Sequence, residues 1–96
     1  MWKTIPVDQN YEANELGDIR KIGSRTLNTQ WFDKDGYKLV TLSNHKMYRA
    51  HRLIAMTFLD NPENYPVVNH LNHNKADNRV ENLEWTTYQG NTIHSY

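Results

Sequence analysis

Between Val68 and Trp85 the chain reads VNHLNHNKADNRVENLEW, and its sixteen inner residues include five asparagines and two histidines. An imidazole with a pKa near neutrality can take a proton from water. That makes His70 and His73 the side chains of this stretch with reaction chemistry. Their His-x-x-His spacing is also compatible with a metal. Asparagine offers an amide that both donates and accepts hydrogen bonds, and it is equally a turn former. The chain contains no cysteine, which excludes disulfides, thiolate zinc sites and a cysteine nucleophile. The residues alone allow a polar loop or a site, and the elements around them decide.

Those elements read as follows. Asp18–Ile22 follows a turn-forming Gly17 and reads as a strand. Residues 30–32 and 37–42 flank Asp33-Lys34-Asp35-Gly36, a strong hairpin turn, and a further strand runs through 47–50. Together they predict a small antiparallel sheet with Trp2, Ile5 and Tyr11 packed on it. Ala50, Leu53, Ile54, Thr57 and Phe58 fall on one face of an amphipathic helix, which Asp60-Asn61-Pro62 stops. Val67-Val68 leads a strand into Asn69-His70. A polar, turn-rich loop follows, then a strand over 83–87 and a short C-terminal helix from Tyr88, capped by Thr86 or Thr87. The order is strand, long loop, strand, helix.

Ninety-six residues make one domain with a modest core. No run of about 18 apolar residues exists, so no membrane span is expected. The first ten residues lack the apolar stretch of a secretory signal, and the default home is intracellular. The net charge is zero but unevenly spread. Residues 19–58 hold eight basic and two acidic side chains, a balance of +6, while each flank carries −3. A basic middle suits a polyanion or, equally, a charge-balanced surface.

Asn69-His70, Asn72-His73-Asn74-Lys75, Asn82-Leu83-Glu84-Trp85 and Asn91, preceded by HRLIAMTFLDNP from His51, resemble the HNH nucleases of phage and homing-endonuclease type. Residues 2–22 resemble the NUMOD-like module often found upstream of them. The resemblance implies an α+β fold: a small N-terminal antiparallel sheet plus helix, then a ββα-metal motif. It implies one nuclease domain over 1–96, with a β-rich, DNA-contacting part at 1–48 and the helix and catalytic motif at 49–96. The implied activity is metal-dependent hydrolysis of DNA phosphodiester bonds, leaving a 5′ phosphate and a 3′ hydroxyl. His70 is the candidate general base. Asn69 and Asn91 are candidate metal ligands through their amide oxygens. Asn82 would bridge the long loop to backbone near His70. Neutral oxygen ligands suit one Mg²⁺ or Mn²⁺ per site. Arg20, Lys21, Arg25, Lys38, Arg49 and Arg52 are the candidate phosphate contacts to double-stranded DNA. Cutting both strands would call for two active sites, hence a homodimer.

The chain departs from the family pattern at Asn72-His73, where Asp-Gly is usual. Asn and His tolerate the positive φ that glycine supplies there, but a carboxylate is lost. His73 is therefore an additional candidate for phosphate or metal contact, and so is His94, three residues after Asn91. Two other readings stand beside the nuclease. One is a catalytically impaired DNA-binding module of HNH type; the other is a small zinc-stabilised interaction domain using His70, His73 and His94. His45 reads as a turn residue, and His51 as one that packs or caps at the start of its helix.

Overall fold

The computed structural model describes residues 1–88. The expected C-terminal helix, with Asn91 and His94, lies outside the described residues. Three small antiparallel sheets surround one helix. The first sheet joins β1 (Lys3–Ile5), β2 (Asp8–Ala13) and β3 (Ile19–Lys21) in that order. The second joins β4 (Trp31–Phe32), β5 (Lys38–Thr41) and β6 (Met47–Arg49). The third is the hairpin of β7 (Val67–His70) and β8 (Leu83–Thr86), with one 3₁₀ turn at Val80–Asn82 just before β8.

The sequence led to a single N-terminal sheet, and the structure divides it in two. β3 pairs with β2 rather than with the hairpin of β4 and β5. Two strands fall outside that reading, β1 and β2; the longer, Asp8–Ala13, reads DQNYEA and has no β-branched residue and four polar ones, so it carries little periodic signal. Its anchor is a side chain. The Asp8 carboxylate accepts from the Asn10 N–H at its own strand and from the Ser43 hydroxyl and N–H at the turn before β6. These bonds, the Ser43 hydroxyl foremost, hold the Asp8 pKa below its usual value against the opposing effect of burial. One carboxylate thereby ties the first sheet to the second.

The helix α1 (Ala50–Phe58) follows β6 without a break. Its N-cap, Arg49, makes no side-chain capping bond, so burial holds it rather than capping. Leu53, Ile54, Ala50 and Ala55 are fully buried together with Ile5, Ala13, Ile19 and Val40. Each of the larger side chains contributes about 2 kcal/mol by leaving water. The helix packs on β1 and β2 of the first sheet, β5 and β6 of the second, and both strands of the third. It is the common backing of all three. No described helix is long and apolar enough to cross a membrane.

Candidate active site

The third sheet pairs regularly through its end: Asn69 lies opposite Glu84 and His70 opposite Leu83. Asn69 and His70 are therefore on alternate faces of β7, and both are buried. Asn69 donates its amide N–H to Glu84 Oε1 at 3.1 Å, which leaves Oδ1 as its acceptor end. His70 is the last residue of β7.

The loop that follows is closed mainly by amides. Asn82 Oδ1 accepts the Asn72 N–H at 3.0 Å, and Asn82 Nδ2 donates to Asn72 Oδ1 and to the Asp77 carbonyl, at 2.9 and 2.8 Å. The Leu71 N–H donates to the Asn82 carbonyl at 2.8 Å. Asn82 thus ties the start of the loop, next to His70, to its far side. Asn72 Oδ1 also accepts from the Asn74 N–H, and its Nδ2 donates to Asp77 Oδ2. His73 sits at φ 64°, in the left-handed region where glycine is usual. Its N–H donates to the His70 carbonyl at 3.0 Å, so the turn forms without the glycine. Asp77 is paired with Arg79, whose hydrogen bonds, with that of Asn72, pull its pKa well below the carboxylate range.

His70 stands against a stack of rings. The His51 ring lies 4.9 Å from it and the Tyr37 ring 6.1 Å, while Tyr37 and His51 stack on each other at 5.1 Å with an interplanar angle of 19°. His70 Nε2 is 2.7 Å from Asn78 Oδ1. Burial lowers the pKa of His70, while the Asn78 bond and the Asp77 charge oppose the shift. Burial first, then the charges of His70, Arg49 and Arg52, push His51 down to about 3. Burial thus favours the neutral form of both imidazoles, the form in which His70 can accept a proton.

Sequence reasoning missed three of these neighbours: His51, Tyr37 and Asn78. A signal existed for His51, because it falls three and four residues before Ile54 and Ala55, at the edge of the buried face. Tyr37 and Asn78 gave none, since one follows a tight turn and the other lies among asparagines that also form turns.

The candidate cations divide by what already holds them. Arg20 is bound to Glu12 and lies 3.8 Å from the centre of the Trp2 ring, so it is committed to the first sheet. Lys21 and Arg25 are exposed and Lys38 is half-buried. Arg49 and Arg52 line a cleft of about 270 Å³ with Tyr37, His51 and Val67. Arg49 stacks on Tyr37 at 4.2 Å and meets Asp33 and Asp35 at 3.4 and 3.9 Å. Such exposed pairs are worth little and can yield to a phosphate. Arg52 donates to the Pro66 carbonyl at 2.7 Å.

On the face of β7 opposite His70, an amide oxygen on Asn69 lies beside the Glu84 carboxylate, donors that suit a hard divalent ion. Among the described residues, no group of three His, Asp or Glu side chains forms a self-sufficient metal cage. A zinc-stabilised domain therefore finds no framework among them, and His94 lies outside.

Residues 48–93 match the family model described as HNH endonuclease. An uncharacterized HNH endonuclease of Acanthamoeba polyphaga mimivirus is 51% identical over 65 residues, covering 65% of this chain and 20% of that protein. The DNA endonuclease I-HmuI of Bacillus phage SP01 is 35% identical over 95 residues, covering 94% of this chain and 54% of that protein. The solved structure entitled "DNA binding and cleavage by the HNH homing endonuclease I-HmuI" aligns with a TM-score of 0.87 at 30% identity, over 99% of this chain and 57% of that one. The chain spans about a fifth to a half of the curated relatives it matches. The matched span, the α+β architecture and the position of His70 at the end of the β7–β8 hairpin lead to one assignment: the chain belongs to the HNH endonuclease family.

Proposed function

We propose that this chain, as one nuclease domain, hydrolyses phosphodiester bonds of double-stranded DNA with His70 as general base and one divalent ion as cofactor. The observation that carries the reading is His70 itself: a buried imidazole at a strand end, held by Asn78 and backed by His51. His70 takes a proton from the attacking water. Strand placement and ring stacking fix its position better than a free loop would. Asn82 keeps the loop closed beside it. Arg49 and Arg52 bind backbone phosphates at the cleft edge, and Lys21, Arg25 and Lys38 are the further phosphate contacts. Asn69 and, outside the described residues, Asn91 would hold Mg²⁺ or Mn²⁺, which would stabilise charge on the phosphate and the departing 3′ oxygen. The product carries a 5′ phosphate and a 3′ hydroxyl, and the setting is an intracellular one.

Supercoiled plasmid with Mg²⁺ or Mn²⁺ tests this. Wild-type protein is expected to nick it, and His70→Ala to lose about 10²- to 10⁴-fold in rate. Equal cleavage by His70→Ala would sink the reading. Salt-sensitive DNA binding without cleavage over a metal series would favour the catalytically impaired DNA-binding module. Direct conversion to linear product with a second-order dependence on protein would indicate a homodimer.

A further inference from the structure

Among the described residues, Asn78 is a buried amide with only one end employed. It is 4% exposed, Oδ1 lies 2.7 Å from His70 Nε2, and Nδ2 has no hydrogen-bond partner among the described residues. Buried amides ordinarily satisfy both ends. The bond that its Oδ1 makes goes to the His70 ring, so the side chain is placed to act on that ring.

We propose that Asn78 is the positioning residue that sets the tautomer of His70, and that the N-terminal sheet seats it. The first step follows from geometry. His70 Nε2 is occupied by a buried contact, so Nδ1 is the nitrogen left to meet water. A neutral imidazole carries one proton, and Nδ1 is basic only when that proton is on Nε2. An amide oxygen accepts and cannot donate, so Oδ1 at Nε2 selects that form. The reversed amide would donate to Nε2, drive the proton to Nδ1 and leave no base. When Nδ1 takes a proton from water, the Nε2–H bond to Oδ1 persists in the imidazolium; the hydroxide oxygen bonds to phosphorus as the P–O3′ bond breaks, and the 3′ oxygen departs with the bond pair and takes a proton from solvent. This step rests on the nuclease reading above.

The second step concerns what holds Asn78. The turn between β2 and β3 is fixed by Asn14, whose Oδ1 accepts the N–H groups of Leu16 and Asp18, both at 3.0 Å. Gly17 of that turn, at φ +93°, lies so close that an added Cβ would stand 2.9 Å from the Asn78 carbonyl oxygen and 3.0 Å from the Asn78 Cβ. Two residues on, the Val80 N–H donates to the Glu15 carbonyl at 2.9 Å. The first sheet therefore forms part of the wall behind the base.

The test is a spectrum joined to kinetics on the full chain. Long-range ¹⁵N–¹H correlation of histidine-labelled wild type, with the His70 signals assigned by their loss in His70→Gln, is expected to show the Nε2–H form. An Nδ1–H spectrum overturns the proposal, whether or not any variant folds. Asn78→Leu is expected to mix the tautomers and to cut kcat on the order of 10²-fold, the scale of a misplaced catalytic group, with KM for DNA within about twofold. Asn78→Asp keeps the acceptor and is expected to retain the Nε2–H form and most of kcat. Equal loss in the Leu and Asp variants overturns the tautomer role. Gly17→Ala is expected to move tautomer and kcat in the same direction as Asn78→Leu. A folded Gly17→Ala protein with both unchanged overturns the seating step. If wild type cuts no DNA under any metal, the nuclease reading fails, while the spectrum still decides the tautomer.

Discussion

Two hairpins meet at the site, and they are built by opposite means. The β4–β5 hairpin closes in the five residues 33–37. Asp33 Oδ1 accepts the N–H groups of Asp35 and Tyr37, at 2.9 and 3.0 Å, and Gly36 takes φ 88°. The β7–β8 hairpin needs the twelve residues 71–82 and holds them with Asn72, Asn74, Asp77 and Asn82. Their tips touch, since Lys75 Nζ donates to the Asp35 carbonyl at 2.9 Å. Their feet meet through rings: Tyr37 of the short hairpin lies 6.1 Å from His70 of the long one, and His51 packs against both. A short turn is stable by local geometry and has little room for chemistry. The long loop buries Asn78 and Asn82 beside the buried His70 of β7, and it can do so only because its amides satisfy one another.

The sharpest way to break that contrast is at Asn82. Asn82→Ala removes three side-chain hydrogen bonds from a buried position. Leaving such partners unpaired costs roughly 3 kcal/mol in all. The expected result is a lower urea midpoint and loss of cleavage at temperatures where wild type is folded. The comparable change in the short hairpin, Asp33→Ala, is expected to cost about a third as much, because Asp33 serves an exposed turn. Similar losses at the two sites would mean the long loop is no more dependent on its amides than the short one.

The same contrast explains what the sequence disclosed. Asp-Lys-Asp-Gly announces a hairpin because each residue type has one local use, and the strands around it lie within a residue or two of expectation. The helix was legible from its spacing, and the third sheet from Val67-Val68 and Leu83–Thr86. The polar loop was legible as a loop, but the partner of each asparagine was not. Asn78 and Asn74 look alike in sequence; one faces His70, and the other caps a turn at the Ala76 N–H. His51 and Tyr37 reach His70 only after the chain has folded back from residues 37 and 51 to residue 70, and no local pattern encodes that approach. β2 was missed for a related reason, since its anchor Asp8 finds Ser43 thirty-five residues away.

His51 joins the two hairpins and gives a pH-dependent way to separate them. Its folded pKa, about 3, lies below the unfolded value near 6.5. The unfolded chain therefore binds the proton first as pH falls. The stabilisation is fully present above about pH 6.5 and is lost downward toward pH 3, by about 1.4 kcal/mol per unit. From pH 7 to pH 5 this amounts to about 2 kcal/mol, read as a drop in the urea midpoint. The lowered pKa of His70 acts in the same direction. His51→Phe keeps an aromatic ring in the stack and removes the titration, so most of that dependence should vanish. An unchanged dependence would show that His51 is not the buried link between Tyr37 and His70.

The smallest expected effect lies at the tip of the short hairpin. A Cβ at Gly36 would meet only Lys75 Cδ, at 3.8 Å, an ordinary contact. The cost of Gly36→Ala is then the left-handed backbone alone, about 1 kcal/mol. Plasmid nicking should stay within about twofold of wild type, because nothing at position 36 reaches His70 or its partners. Gly17→Ala makes the instructive pair. It adds the same methyl at nearly the same φ, but against Asn78 rather than into open space. If Gly36→Ala stayed folded yet lost tenfold in cleavage, the short hairpin would belong to the DNA-contacting surface, and the division of labour between the two hairpins would have to be redrawn.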